Sequence, residues 1–246
     1  MSIDSADDLE GMKRAGLVVA EALRAMSRAT REGVTTGEID EAGAAVFRRH
    51  GARSAPQLVY GFPGINLISV NDEIVHGIPG SRRLRPGDVV KLDVTGEVDG
   101  YIADAATTIV IPPASIESDA LSTSARTAFD EACKVARAGR LVSDIGAAVE
   151  ARVHADGFSV VRALTGHGVG RTIHESPTVP NYRDPRQRDV LTDGLVLTIE
   201  PIISARPCGV VQSEDGWTLR TSNGCLAAHY EHTMVITAGA PILLTA

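Results

Sequence analysis

The chain has 246 residues, 43% hydrophobic, 22% charged and only 4% aromatic, with a formal net charge of -7. That balance excludes wholesale disorder and a basic surface for gripping nucleic acid, and no apolar run approaches the ~20 residues a membrane span needs. The N-terminus lacks the basic-then-apolar pattern of a signal peptide, and Cys133, Cys208 and Cys225 are widely spaced, so a soluble cytoplasmic protein is expected.

Ser5 can cap a first helix, with Asp7 and Asp8 against the positive end of its dipole. Leu9, Met12, Gly16, Val19, Leu23 and Met26 follow helical spacing. Thr35 and Glu38 form a capping-box pattern for a second helix, which Gly51 can stop. Strands are predicted at Asn66–Val70, Val89–Thr95 and Tyr101–Ile111, the last closed by Pro112-Pro113.

The second half repeats the plan, with a long helix from Ser118 to Gly139 and a shorter one from Ser143 to Gly157. Aligning Gly33 with Gly139 also aligns Gly51 with Gly157 and Ile39 with Ile145. Gly87–Asp93 similarly matches Gly194–Glu200, and each is preceded by a His-x-x-Pro, at His76–Pro79 and His174–Pro177. These matches run in the same order, which points to an internal duplication: two helix-plus-sheet halves around a shared centre. Asp93 would then face Glu200, flanked by His76 and His174.

A hairpin turn over Glu97–Gly100, centred on Val98-Asp99, places Asp93 directly opposite Asp104. Opposed side chains have Cβ atoms about 4.5–5.5 Å apart, and the surrounding strands are apolar. Two carboxylates there need a cation or a shared proton, unless a longer loop lets them point apart into solvent. Thr165–Gly170 reads as a glycine-rich loop around His167, either backbone drawn close around one imidazole or a mobile loop with an exposed histidine. Glu200 ends the apolar run Leu195–Ile199, where a carboxylate is costly unless paired or metal-bound. Glu231 precedes a strand predicted at Thr233–Thr237, and alone reads equally as a solvated strand edge. Four carboxylates and one imidazole together suit two divalent cations such as Mn, Fe, Co or Zn.

The segments Asn71–Pro79, Leu92-Asp93-Val94 with Asp104, Gly166–Arg171 with His174–Pro177, Thr198–Pro201 and Tyr230–Thr233 together resemble the methionine aminopeptidases, members of the pita-bread metallopeptidases. The resemblance covers nearly the whole chain. It implies an α+β fold of two pseudo-symmetric halves, roughly 5–112 and 115–246, in one catalytic domain over 1–246. It further implies that Asp93 chelates one metal, that His167 and Glu200 hold the other, and that Asp104 and Glu231 bridge them. By the same pattern His76 and His174 contact substrate and steady the transition state, and Glu200 shuttles a proton between water and the leaving amine. The implied reaction removes an N-terminal methionine ahead of a small second residue, on nascent chains and peptides, with a ribosome contact plausible and a monomer expected.

Tyr60, Phe62, Ile173 and Trp217 are candidates for a dry pocket taking the first side chain, although each also reads as ordinary core packing. Many bacterial relatives carry cysteines where Leu67 and Val75 stand and an aromatic at Ile173. The short interval between Glu200 and Glu231 leaves no room for the helical insertion of type 2 enzymes, so the resemblance is to type 1. Two alternatives stand beside it: a proline-directed peptidase of the same fold, and a metal-free pita-bread binding module.

Overall fold

Helix α1 (Ala6–Ala29) begins where the Ser5 hydroxyl accepts the Asp8 N–H at 3.1 Å, and it buries Met12, Val19, Leu23 and Met26. Helix α2 (Thr36–His50) carries the expected capping box, Thr35 with Glu38, and ends at Gly51 in the left-handed region. After β1 (Arg53–Ser54), α3 (Ala55–Tyr60), β2 (Leu67–Val70) and β3 (Glu73–Val75) comes the long hairpin of β4 (Val89–Val98) and β5 (Tyr101–Val110). The computed structural model describes residues 1–246.

Helix α4 spans Ile116–Val135 and α5 spans Val142–Ala155. Both differ from the sequence expectation at their ends. The cap of α4 is Ser115, and Ser118 is its reciprocal partner, each backbone N–H bonding the other's hydroxyl at 3.0 Å. The chain leaves α4 at Ala136 because the Ala138 N–H turns to the Thr237 carbonyl, so Gly139 lies in the following turn. The remaining strands are β6 (Ser159–Val160), β7 (Thr165–Gly168), β8 (Glu175–Pro180), β9 (Val196–Ile199), β10 (Ile202–Ser204), β11 (Val210–Gln212), β12 (Leu219–Thr221), β13 (Ala227–His229), β14 (Glu231–Val235) and β15 (Ile242–Leu243).

The main sheet runs β1-β4-β5-β14-β9-β7-β8, with β2 added to β4 and β15 to β14. Two smaller three-stranded sheets run β13-β10-β6 and β11-β12-β3. Helix α1 packs on β4 and β5 through Met12, Val19, Val90, Leu92 and Val94, and α2 packs on α1 and against β1 and β2. Helices α4 and α5 pack on each other, α4 also against β5, β10 and β13 and α5 against β6 and β8. Their Leu121, Phe129 and Ile145 share one core with Leu197, Ile199 and Met234 of the sheet. Each fully buried aliphatic side chain contributes roughly 1.5–3 kcal/mol. Two halves thus meet along the β5–β14 junction, and the fold is the pita-bread α+β arrangement.

Strand alternation explains why acids emerge together. Leu92 and Val94 enter the helix-covered core, so Asp93 and Thr95 must point to the other face. The same parity sends Asp104 and Ala106 of β5, and Glu231 and Thr233 of β14, to that face.

Three sequence expectations are corrected. The turn centres on Asp99-Gly100, both with positive φ (52° and 82°), and joins Val98 to Tyr101. That is the geometry a two-residue hairpin demands of an Asp-Gly pair. Asp93 therefore pairs with Ala106 and Asp104 with Thr95; the two acids are diagonal neighbours on one face, not directly opposed. The glycine-rich segment around His167 is strand β7, not a loop. A Cβ on Gly168 would meet the Ser176 carbonyl oxygen at 2.2 Å, so glycine allows β8 to close in, and a register shift between His167 and Gly168 re-aims the chain. The last long strand starts at Glu231, not Thr233, which puts Glu231 in register with Ala106.

Candidate metal centre and substrate cleft

Asp93, Ala106 and Glu231 form one row across β4, β5 and β14. Glu200 follows directly on β9, whose Ile199 pairs with His232. The row therefore carries three carboxylates at the junction of the halves, with Asp104 beside them. His167 enters from β7, its Nε2 3.4 Å from Glu200 Oε1. Ligand atoms of Asp104, His167 and Glu231 lie within 4.8 Å of one another, as do those of Glu200, His229 and Glu231.

Threonine hydroxyls fix several of these residues through their backbones. Thr233 accepts the Asp104 N–H and donates to the Asp104 carbonyl, both at 2.8 Å. Thr198 accepts the His167 N–H at 3.1 Å and donates to Glu200 Oε1 at 3.0 Å. His167 Nδ1 lies 3.0 Å from the Gly168 carbonyl, which can only accept, so the proton is on Nδ1 and the Nε2 lone pair faces the acids.

The electrostatics are unbalanced within the protein alone. Burial and Asp104 push Asp93 up to about 8. Burial and neighbouring carboxylates hold Asp104, Glu200 and Glu231 well above the usual range. Burial pushes His167 and His229 down to about 4, leaving neutral imidazoles. No lysine or arginine lines the cleft. Two carboxylates 4 Å apart repel by about 4 kcal/mol at an effective dielectric of 20. Asp104 Oδ1, Glu231 Oε1 and both ring nitrogens of His229 are buried without a hydrogen-bond partner. Oxygen-rich donors, neutral imidazoles and orphaned acceptors fit divalent cations.

The cleft encloses about 690 Å³ and opens onto these groups. Tyr60, Phe62, Leu67, Val75, His76, Ile173, His174 and Trp217 all line it, so the structure brings every sequence-predicted site residue to one place. Phe62 and Ile173 are buried, and Phe62 meets Trp217 edge-to-face at 5.3 Å. His76 holds a left-handed backbone (φ 61°), a conformation that non-glycine residues adopt mainly where surrounding structure imposes it. The His167 and His174 rings stack edge-on at 4.3 Å. Tyr60 is more than a wall: its hydroxyl lies 2.6 Å from His174 Nδ1. With the phenol donating, His174 keeps its own proton on Nε2. The sequence carries no signal for this contact, nor for His229, which ends β13 in a smaller sheet while Glu231 opens β14 of the main one, so no alternation within a strand links the two.

A sheet of two matched halves, carrying a buried carboxylate–imidazole cluster at its seam, defines a metal-competent centre of the pita-bread type. A profile of metallopeptidase family M24 matches residues 10–238. Methionine aminopeptidase 2 of Bacillus subtilis (strain 168) is 40% identical, covering 100% of this chain and 99% of the relative. A crystal structure of methionine aminopeptidase from Thermotoga maritima superposes with a TM-score of 0.96 at 34% identity, covering 100% of this chain and 99% of that one. Prolidase from Pyrococcus furiosus shares the fold, with a TM-score of 0.80 at 21% identity, and this chain spans 65% of it. The chain belongs to metallopeptidase family M24.

Proposed function

We propose that this chain is a type 1 methionine aminopeptidase with two divalent metals, Co, Mn, Fe or Zn, removing N-terminal methionine ahead of a small second residue. The observation that carries the reading is the seam cluster of Asp93, Asp104, His167, Glu200 and Glu231, facing a cleft with apolar walls. Asp93 would hold one ion, His167 and Glu200 the other, with Asp104 and Glu231 shared between them. Ions bound there would lower the pKa of a water and polarise the scissile carbonyl.

The chain's own groups supply the rest. Thr198 occupies Glu200 Oε1, leaving Oε2 to accept a proton from water and return it to the leaving amine. His174 Nε2–H donates to the oxygen that gains charge in the tetrahedral transition state. His76 lines the same cleft and, by the family resemblance, would contact the scissile nitrogen. Phe62, Ile173, Leu67, Val75 and Trp217 exclude water and accept an unbranched thioether chain, which packs well against aromatic edges. Substrates of this kind are newly made polypeptides, so a cytoplasmic monomer working as chains leave the ribosome is the setting this reading implies.

Peptides beginning Met-Ala, Met-Gly, Met-Leu and Ala-Pro test it. Metal-dependent release of methionine from the first two is expected; cleavage of Ala-Pro with Met-Ala intact would make the chain a proline-directed peptidase instead. His174→Ala should lower kcat by about 10²–10³ with metal content retained. Tyr60→Phe loses only the orienting hydrogen bond, worth about 0.5–1.5 kcal/mol. Up to about a tenfold fall in kcat with KM and metal content unchanged is therefore expected.

A further inference from the structure

His229 stands outside the five-residue set, yet it is built into the same seam. It ends β13, where its partner is Ile202, two residues beyond Glu200. Its backbone is clamped as that of Asp104 is: Thr108 accepts the His229 N–H at 2.9 Å and donates to the His229 carbonyl at 2.8 Å. The side chain is 2% exposed, and neither ring nitrogen has a hydrogen-bond partner. Nε2 is 3.3 Å from Glu231 Oε2 and 3.8 Å from Glu200 Oε2. Glu200 thus lies between two imidazoles, His167 facing one carboxylate oxygen and His229 the other. An unpaired buried imidazole costs free energy unless something absent from the bare chain engages it.

We propose that His229 is a sixth donor of the metal centre, giving its Nε2 lone pair to an ion shared with Glu200 and Glu231. The inference rests on the two-metal reading above and deepens it. A second nitrogen makes the donor set softer, which favours Zn, Co or Fe over Mn. Manganese would then be the weaker fit for this chain, relative to a centre with one imidazole.

The test compares wild type with His229→Gln, which keeps a polar side chain of similar reach, and with His229→Ala. Isothermal titration of each metal-free protein with Co(II) and Mn(II) gives stoichiometry and affinity, and X-ray absorption of the Zn-loaded forms counts imidazoles per site. Wild type is expected to show two imidazoles across the dinuclear centre and His229→Gln one. The preference for Co over Mn should fall by about tenfold in the variant, a change of ~1.4 kcal/mol. An unchanged imidazole count and an unchanged Co/Mn ratio would overturn the proposal and leave His229 as a hydrogen-bonding neighbour of Glu231. Wild type that takes up no ion would instead sink the two-metal reading itself. If His229→Ala fails to fold, as judged by circular dichroism, the glutamine variant carries the comparison alone.

Discussion

Glu231→Gln is expected to lower kcat/KM for a Met-Ala peptide by at least about a thousandfold, or ~4 kcal/mol of transition-state stabilisation. The size follows from position. Glu231 is 2% exposed and shares a row of the sheet with Asp93. One oxygen lies 3.3 Å from His229, while the other has no partner in the protein. Glutamine fits the same space but brings no charge and offers one acceptor oxygen where Glu231 offers two. A residue proposed to be shared between two ions loses its hold on both. Elemental analysis after loading should therefore show occupancy falling from two ions to one or none, in step with activity. Because the change removes a charge from a repelling cluster, the metal-free variant should fold and melt no lower than the metal-free wild type. Retention of both ions with full activity would show that Glu231 is not a shared ligand.

What a single sequence displays of this fold depends on range. Local signals were read directly: the Ser5 cap, the Thr35–Glu38 box and the Gly51 stop all depend on residues within one turn. The sequence places the hairpin turn one residue early, because Val98-Asp99 and Asp99-Gly100 both suit a turn centre and only backbone φ separates them. The error left Asp93 and Asp104 on one face, since shifting the turn by a residue moves a partner by two positions along the strand. The glycine-rich run reads as a loop from sequence, because the demand for glycine at Gly168 comes from the Ser176 carbonyl of a neighbouring strand. Tyr60 against His174, and Thr108 against His229, join residues more than a hundred positions apart. Such contacts leave no periodicity for a single sequence to display.

Asp93→Asn is expected to stabilise the metal-free protein over wild type, by an amount that grows as pH rises toward about 8, while weakening metal binding. The sign follows from linkage. Burial and Asp104 push Asp93 up to about 8 in the folded chain, against about 3.9 when unfolded. Between those values the folded state holds a proton that the unfolded state has released, so stability falls as pH rises. Other buried groups act differently: His167, His229 and His232, pushed down to about 4, add stability as pH rises toward 6.5. Lys91, pushed down to about 7 by burial, adds stability above that. Asp104, Glu200 and Glu231, also held well above the usual range, act in the same direction as Asp93. Comparing wild type with Asp93→Asn at each pH thus largely cancels the histidine and lysine contributions and leaves those of Asp93 and the carboxylates it repels. A kcal/mol is about 2–4 °C of midpoint in a chain of this size, and a gain of at least about 3 °C at pH 8, shrinking toward pH 5, is expected. Adding Co(II) or Mn(II) should reverse the order, since binding at a hundredfold excess over Kd stabilises the folded state by about 2.7 kcal/mol per site. That metal-induced shift should be largest at pH 8, because ligands must shed their protons to bind. A wild-type advantage at pH 8 without metal, or a metal shift indifferent to pH, would mean that Asp93 is paired within the protein and that the seam is not a cation site.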